Sequence, residues 1–259
     1  MKLYQLIDQK MVTECLSDIA LTKLQTDSNN FGGVMFERDL AKKLRQKGFY
    51  VWTQREVETL IDNGQIFDFG CTLAEFKRRQ KDIDDVVYAS DLFWFDYDNG
   101  VFRLIDSLSL KTSINDNDSS KVFIANDAEG IVYDRLQSNE DEYTIGQVLI
   151  VSMNTEKLTF SVDYFDSTIQ DLVSVFQESE DKGDKMVYRA PGKRSLVDTL
   201  SIMNRNVKTN KKQTSFNRGV QVRRDFIPTL STYGVFTNVC EGTVEVDTYK
   251  LVGELLTLN

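Results

Sequence analysis

A chain of 259 residues with 31 Lys and Arg against 40 Asp and Glu carries a formal charge of −9 and is long enough for one large domain or two small ones. It has no histidine and three widely spaced cysteines, Cys15, Cys71 and Cys240. That excludes Ser-His-Asp and Cys-His nucleophile systems and zinc sites of the usual kind, so any catalysis rests on carboxylates, Lys, Arg, Tyr or a hard metal held by oxygen.

Other classes lose their best support as well. No GxxxxGK[ST] loop or GxGxxG turn occurs, and no apolar stretch reaches the length of a membrane span. No apolar leader follows Met1, and the odd, scattered cysteines read as reduced thiols, so a cytoplasmic protein without a membrane partner is expected.

In chain order, residues 2–24 read as a helix with Leu3, Leu6, Ile7, Met11, Leu16 and Ile19 on a loose apolar stripe. A polar loop (26–33) leads to a second helix, in which Glu37, Leu40, Ala41 and Leu44 recur at i, i+3, i+4 and i+7. That spacing places Glu37 on the apolar face, where an unpaired carboxylate is costly. Residues 55–61 and 72–83 predict two further helices, the latter opening on a Thr72/Glu75 capping box and followed by the acids Asp82, Asp84 and Asp85.

The stretch SDLFWFDYDNGVFRLIDSLSLKTS, residues 90–113, is the most informative. Asp91 heads an apolar run, Asn99-Gly100 turns it, and the return strand ends in Lys111. Asn-Gly between alternating hydrophobics signals a hairpin. An acid on one strand and a lysine on the next is how a Mg²⁺-dependent nuclease site is built on a hairpin: the carboxylate holds the metal, and the ammonium orients water or offsets phosphate charge.

Beyond the hairpin, a helix is expected at 127–136, strands at 146–153 and 158–164, and another helix at 172–176. Residues 178–184 read as a linker or long loop, 195–206 as a helix, 213–224 as a basic segment with alternating Val220 and Val222, and Pro228 as the first turn of a short helix closed by Gly234. Strand character near Glu241-Gly242 precedes a last helix at 249–256. Between Lys182 and Arg224 stand 12 Lys and Arg against Asp184 and Asp198, a local charge of +10 that leaves −19 for the rest. Such a segment is either a solvated basic loop or the footprint of a polyanion-binding face.

On Ser90-Asp91, Ser109-Leu110-Lys111 and the Gly32–Phe49 stretch with the helix bearing Glu37, the chain resembles the PD-(D/E)xK nuclease superfamily of restriction-endonuclease-like proteins. The resemblance implies an α/β fold, a mixed central sheet flanked by helices with a restriction-endonuclease-like core at 1–178. A basic C-terminal DNA-binding region at 185–259 follows, loosely winged-helix-like in its order of elements. It also implies a Mg²⁺-dependent DNA endonuclease, with Mn²⁺ as substitute, acting sequence-specifically on double-stranded DNA as a homodimer. Asp91 would ligate the metal with the Leu110 carbonyl, and Lys111 would orient water. Ser109 stands where the family carries an acid, so either Glu37 or Asp106 would supply the second carboxylate; Asp106 would need a β-bulge to join the face of Ser109 and Lys111. DNA contacts would fall to Lys193, Arg194, Lys208, Lys211, Lys212, Arg218, Arg223 and Arg224. The departure at Ser109 supports the alternative, a non-enzymatic DNA-binding or assembly protein on a degenerate nuclease scaffold.

Overall fold

The apolar runs become the strands of a mixed sheet. The computed structural model describes residues 1–26, 32–70, 90–118, 120–126, 133, 136, 146–176, 178–183, 185–189, 198–203 and 219–245. Among them seven strands form one sheet: β1 (Tyr50–Thr53), β2 (Ile66–Asp68), β3 (Leu92–Asp98), β4 (Val101–Asn115), β6 (Val148–Asn154), β7 (Thr159–Phe165) and β12 (Phe236–Thr243). The order is β1-β3-β4-β6-β7-β12, with β2 paired to the first residues of β4. The central β4/β6 pair is parallel and its outer neighbours are antiparallel. Every residue of β6 is buried, which is why its sequence is an apolar run without alternation.

Two helices, α1 (Gln9–Thr26) and α2 (Gly32–Gln46), cover one face of this sheet. Met11, Val12, Leu16 and Ile19 meet Phe36, Leu40, Ala41 and Leu44 over Leu92, Trp94, Leu108, Leu110, Leu149 and Val151. The predicted first helix is divided: Leu3–Leu6 form a 3₁₀ turn, Ile7 is extended, and α1 starts at Gln9. Asp8 breaks the continuity by accepting the Met11 N–H through its side chain. A third helix, α3 (Gln54–Asp62), is capped by Thr53 with Glu56 in a reciprocal box. Its Val57 packs on Phe69, Phe93, Phe95 and Phe102, on the side of the hairpin away from Leu92 and Trp94.

The opposite face carries a second core, where Val148, Ile150, Phe165 and Phe236 meet an antiparallel sheet ordered β5 (Lys121–Asn126), β11 (Gly219–Arg223), β10 (Leu200–Met203), β9 (Lys185–Arg189) and β8 (Glu178–Asp181). Short helices α4 (Ile169–Ser174) and α5 (Ile227–Thr232) add Ile169, Leu172, Ile227 and Leu230. The architecture is thus mixed α/β, with a mixed central sheet flanked by helices. Two expectations give way here. Residues 178–181 are a strand, although 178–184 read as a linker, and 200–203 are a strand, although 195–206 read as a helix. In each case cross-strand pairing with β9 overrides a polar or helical pattern. Within the region where a winged helix was expected, Leu200–Met203 and Gly219–Arg223 are strands, and the short helix Ile227–Thr232 and the strand Phe236–Thr243 follow. The helices expected at 72–83 and 249–256 lie outside the described residues, as does almost all of that at 127–136. No described helix is long and apolar enough to cross a membrane.

Candidate active site

The hairpin turn sets the register that builds the site. Asn99 and Gly100 both have positive φ, 50° and 84°, the conformation a two-residue turn needs to match strand twist. From there β3 and β4 pair back to Leu92 opposite Leu108. The Asp91 N–H donates to the Leu108 carbonyl at 3.0 Å, which leaves the Asp91 carboxylate over the next residues of β4. Asp91 Oδ2 accepts the Leu110 N–H at 2.6 Å and the Ser109 hydroxyl at 3.1 Å, and Lys111 Nζ lies 3.8 Å away. Both partners of the Asp91–Lys111 pair are mostly buried, 27 % and 19 % exposed. Just behind them, the buried hydroxyls of Ser90 and Ser107 bond at 3.0 Å.

Glu37 reaches the same place from α2. The helix comes close to β4 because it begins with two glycines: a Cβ on Gly33 would lie 2.9 Å from Thr112 Oγ1, and one on Gly32 would lie 3.2 Å from Ile114 Cδ1. One turn on from Gly33, Glu37 sits at the border of the buried face that Phe36, Leu40 and Ala41 define. Burial first, then the negative charge of Asp91, pushes its carboxyl up to about 7, with Lys111 pulling the other way. The carboxyl makes no hydrogen bond among the described residues.

Asp106 belongs elsewhere. A bulge does occur in β4, but it falls at Ile105, between the Trp94↔Asp106 and Phe95↔Leu104 pairs, so Asp106 stays in phase with Leu108 and Leu110 rather than with Ser109 and Lys111. Its carboxylate accepts the Leu3 N–H at 2.6 Å and the Gln147 amide at 2.8 Å, tying the N-terminal turn to the sheet. Leu110 contributes its side chain to the core and its N–H to Asp91.

Of the expected DNA contacts, Lys193, Arg194, Lys208, Lys211, Lys212 and Arg218 lie outside the described residues. Arg223 is paired with Asp225. Arg224 is 8 % exposed and donates to the Met153 carbonyl at 3.0 Å, to Asn115 Oδ1 at 3.3 Å and to the Ser113 carbonyl at 3.4 Å, with Asp118 at 3.5 Å. It joins the ends of β4 and β6 from within, and its bonds are spent there rather than on the surface.

A cleft of about 870 Å³ opens from Asp91 and Glu37 between α2 and α3. Arg38, Arg45, Trp52, Arg55, Glu56 and Glu58 are on its wall. Arg45 is committed to Glu56 in a two-pronged pair, at 2.9 and 3.2 Å. Arg38 and Arg55 are exposed: Arg38 has only a 3.8 Å contact with Asp39, and Arg55 has no ion pair among the described residues. Neither was singled out from sequence, because an exposed arginine on a helix is unremarkable until the tertiary fold turns it toward a site.

The residues that could hold a hard divalent cation here are Asp91 and Glu37, which line the same cleft. Asp91 Oδ2 accepts two hydrogen bonds and has the Lys111 ammonium at 3.8 Å, whereas Oδ1 accepts no hydrogen bond among the described residues. Mg²⁺ takes one or two carboxylates and keeps waters or substrate oxygens for the rest. Among the described residues no group of three or more acidic or cysteine side chains gathers that would bind a metal without such help. Compared with family models, curated proteins and solved structures, the chain matches none.

Proposed function

We propose that the chain is a Mg²⁺-dependent DNA endonuclease, a cytoplasmic, restriction-endonuclease-like enzyme that hydrolyses phosphodiester bonds sequence-specifically. The observation that carries this is the convergence of Glu37, Asp91 and Lys111 from α2, the head of β3 and the second half of β4. Asp91 Oδ1 and the Glu37 carboxylate would hold the metal, which as a Lewis acid would polarise a phosphoryl oxygen and acidify water. Lys111, held by Asp91, offsets the charge that develops as water attacks phosphorus and the ester P–O bond breaks, and it orients the attacking water by hydrogen bonding. Ser109 supplies no charge; its hydroxyl fixes the rotamer of Asp91. Glu37 would replace the missing acid of the hairpin, and because burial and Asp91 raise its carboxyl, protons compete with the metal there and Mg²⁺ affinity rises with pH. Cutting both strands of a duplex takes two such centres, so a homodimer is part of this reading.

The test is digestion of unmethylated plasmid and phage DNA with Mg²⁺ or with EDTA, by wild type, Asp91→Ala and Lys111→Ala. A second reading, a DNA-binding or assembly protein on a degenerate nuclease scaffold, draws on Ser109 and on the two hydrogen bonds and the ammonium contact that already satisfy Asp91 Oδ2. It requires salt-sensitive DNA binding without turnover in Mg²⁺ or Mn²⁺.

A further inference from the structure

The cleft beside the site carries groups that the hydrolytic chemistry leaves unused. We propose that it seats an unpaired DNA strand, with a base stacked on Trp52 and the flanking phosphates on Arg38 and Arg55. Trp52 is half-buried, lines the cleft, and is held by edge contacts with Phe67 at 5.8 Å and Phe102 at 4.9 Å, a tilted contact with Phe95 at 5.8 Å and an offset stack with Tyr50 at 6.0 Å. An indole fixed in this way loses little freedom on binding, and stacking accepts any base. Arg38 and Arg55 rise from different helices, α2 and α3, onto the same cleft. Their guanidiniums are the exposed cations there, since Arg45 is neutralised by Glu56; Glu58 is a further acid on the wall. At the end of this path stand Asp91 and Glu37. The volume, about 870 Å³, is that of a ligand pocket. A cleft of this size holds a short run of nucleotides, and a base stacks on Trp52 only when it is unpaired.

What happens to the seated strand rests on the nuclease reading; the seating itself does not. A fluorescein-labelled single-stranded oligodeoxynucleotide and its blunt duplex are titrated in EDTA, reading anisotropy and tryptophan emission. The single strand is expected to bind at least about tenfold more tightly and to quench emission, and the quench disappears in Trp52→Phe, which keeps an aromatic ring in the cluster. The Arg38→Ala/Arg55→Ala double variant is expected to lower the slope of log K against log salt by about 1.4, the loss of two single-strand phosphate contacts. Duplex binding as tight as single-strand binding, or an unchanged slope in the double variant, would overturn the proposal. Single-strand binding without cleavage in Mg²⁺ upholds the cleft and removes the nuclease reading; cleavage with no preference for the single strand removes the cleft assignment alone.

Discussion

Replacing Glu37 by Gln removes a titrating carboxyl while keeping the shape of the side chain, and the consequence for stability can be worked out from its surroundings. In the unfolded chain the group ionises near 4.5, and in the folded protein near 7. Between those values the native state holds a proton that the unfolded state has released, so stability falls as pH rises through the window and stays low above it. The gap is worth at most about 3 kcal/mol, and water reaching a partly buried carboxyl should reduce that to about 1–2 kcal/mol. Urea unfolding followed by circular dichroism at pH 5 and pH 8 measures it. The Gln variant should match wild type at the acid end and exceed it by about 1–2 kcal/mol at pH 8, or by about 2–8 °C in Tm. Millimolar Mg²⁺ should raise the Tm of wild type more at pH 8 than at pH 6 and do little for the variant. A stability difference that is the same at both pH values would show that the Glu37 carboxyl is not held above its ordinary range, and its placement as a half-buried acid beside Asp91 would fall with it.

The remaining tests probe how the site is held. Arg224→Ala strips donors from the Ser113 and Met153 carbonyls and leaves Asp118 without its guanidinium, so urea unfolding should report a loss of about 3 kcal/mol. Gly33→Ala drives a methyl toward Thr112 Oγ1 and pushes the start of α2 off β4, costing about 1–2 kcal/mol and weakening Mg²⁺ binding by calorimetry; adding Thr112→Ala should restore both.

The hairpin was legible because its information is local. Asn99-Gly100 dictates the turn, the turn dictates register, and register alone carries Asp91 to Ser109 and Lys111, eighteen and twenty residues on in sequence. Glu37 was legible for a different reason, as an acid recurring in phase with Leu40 and Leu44. The place of Asp106 was legible conditionally: alternation sets it on the face opposite Ser109 and Lys111, and the bulge falls at Ile105, outside residues 106–111, so that phase holds. Strands β8 and β10 were invisible for want of pattern: ESED has no apolar alternation, and LSIM suits a helix as well as a strand until β9 pairs with both. Arg224 read as one more cation in a basic run, whereas the carbonyls that bury it come from β4 and β6, 111 and 71 residues away. The cleft wall was hidden for the same cause, since nothing in the sequence brings α3 opposite α2.

The central claim is that Asp91 and Lys111 are one hydrolytic centre, and cleavage by purified Lys111→Ala beside wild type tests it most directly. Digestion of unmethylated DNA in Mg²⁺ should give discrete fragments with wild type, none in EDTA, and a loss of at least about 100-fold in rate for the variant, with its fold intact by circular dichroism. A folded Lys111→Ala protein that cuts as fast as wild type would contradict the assignment.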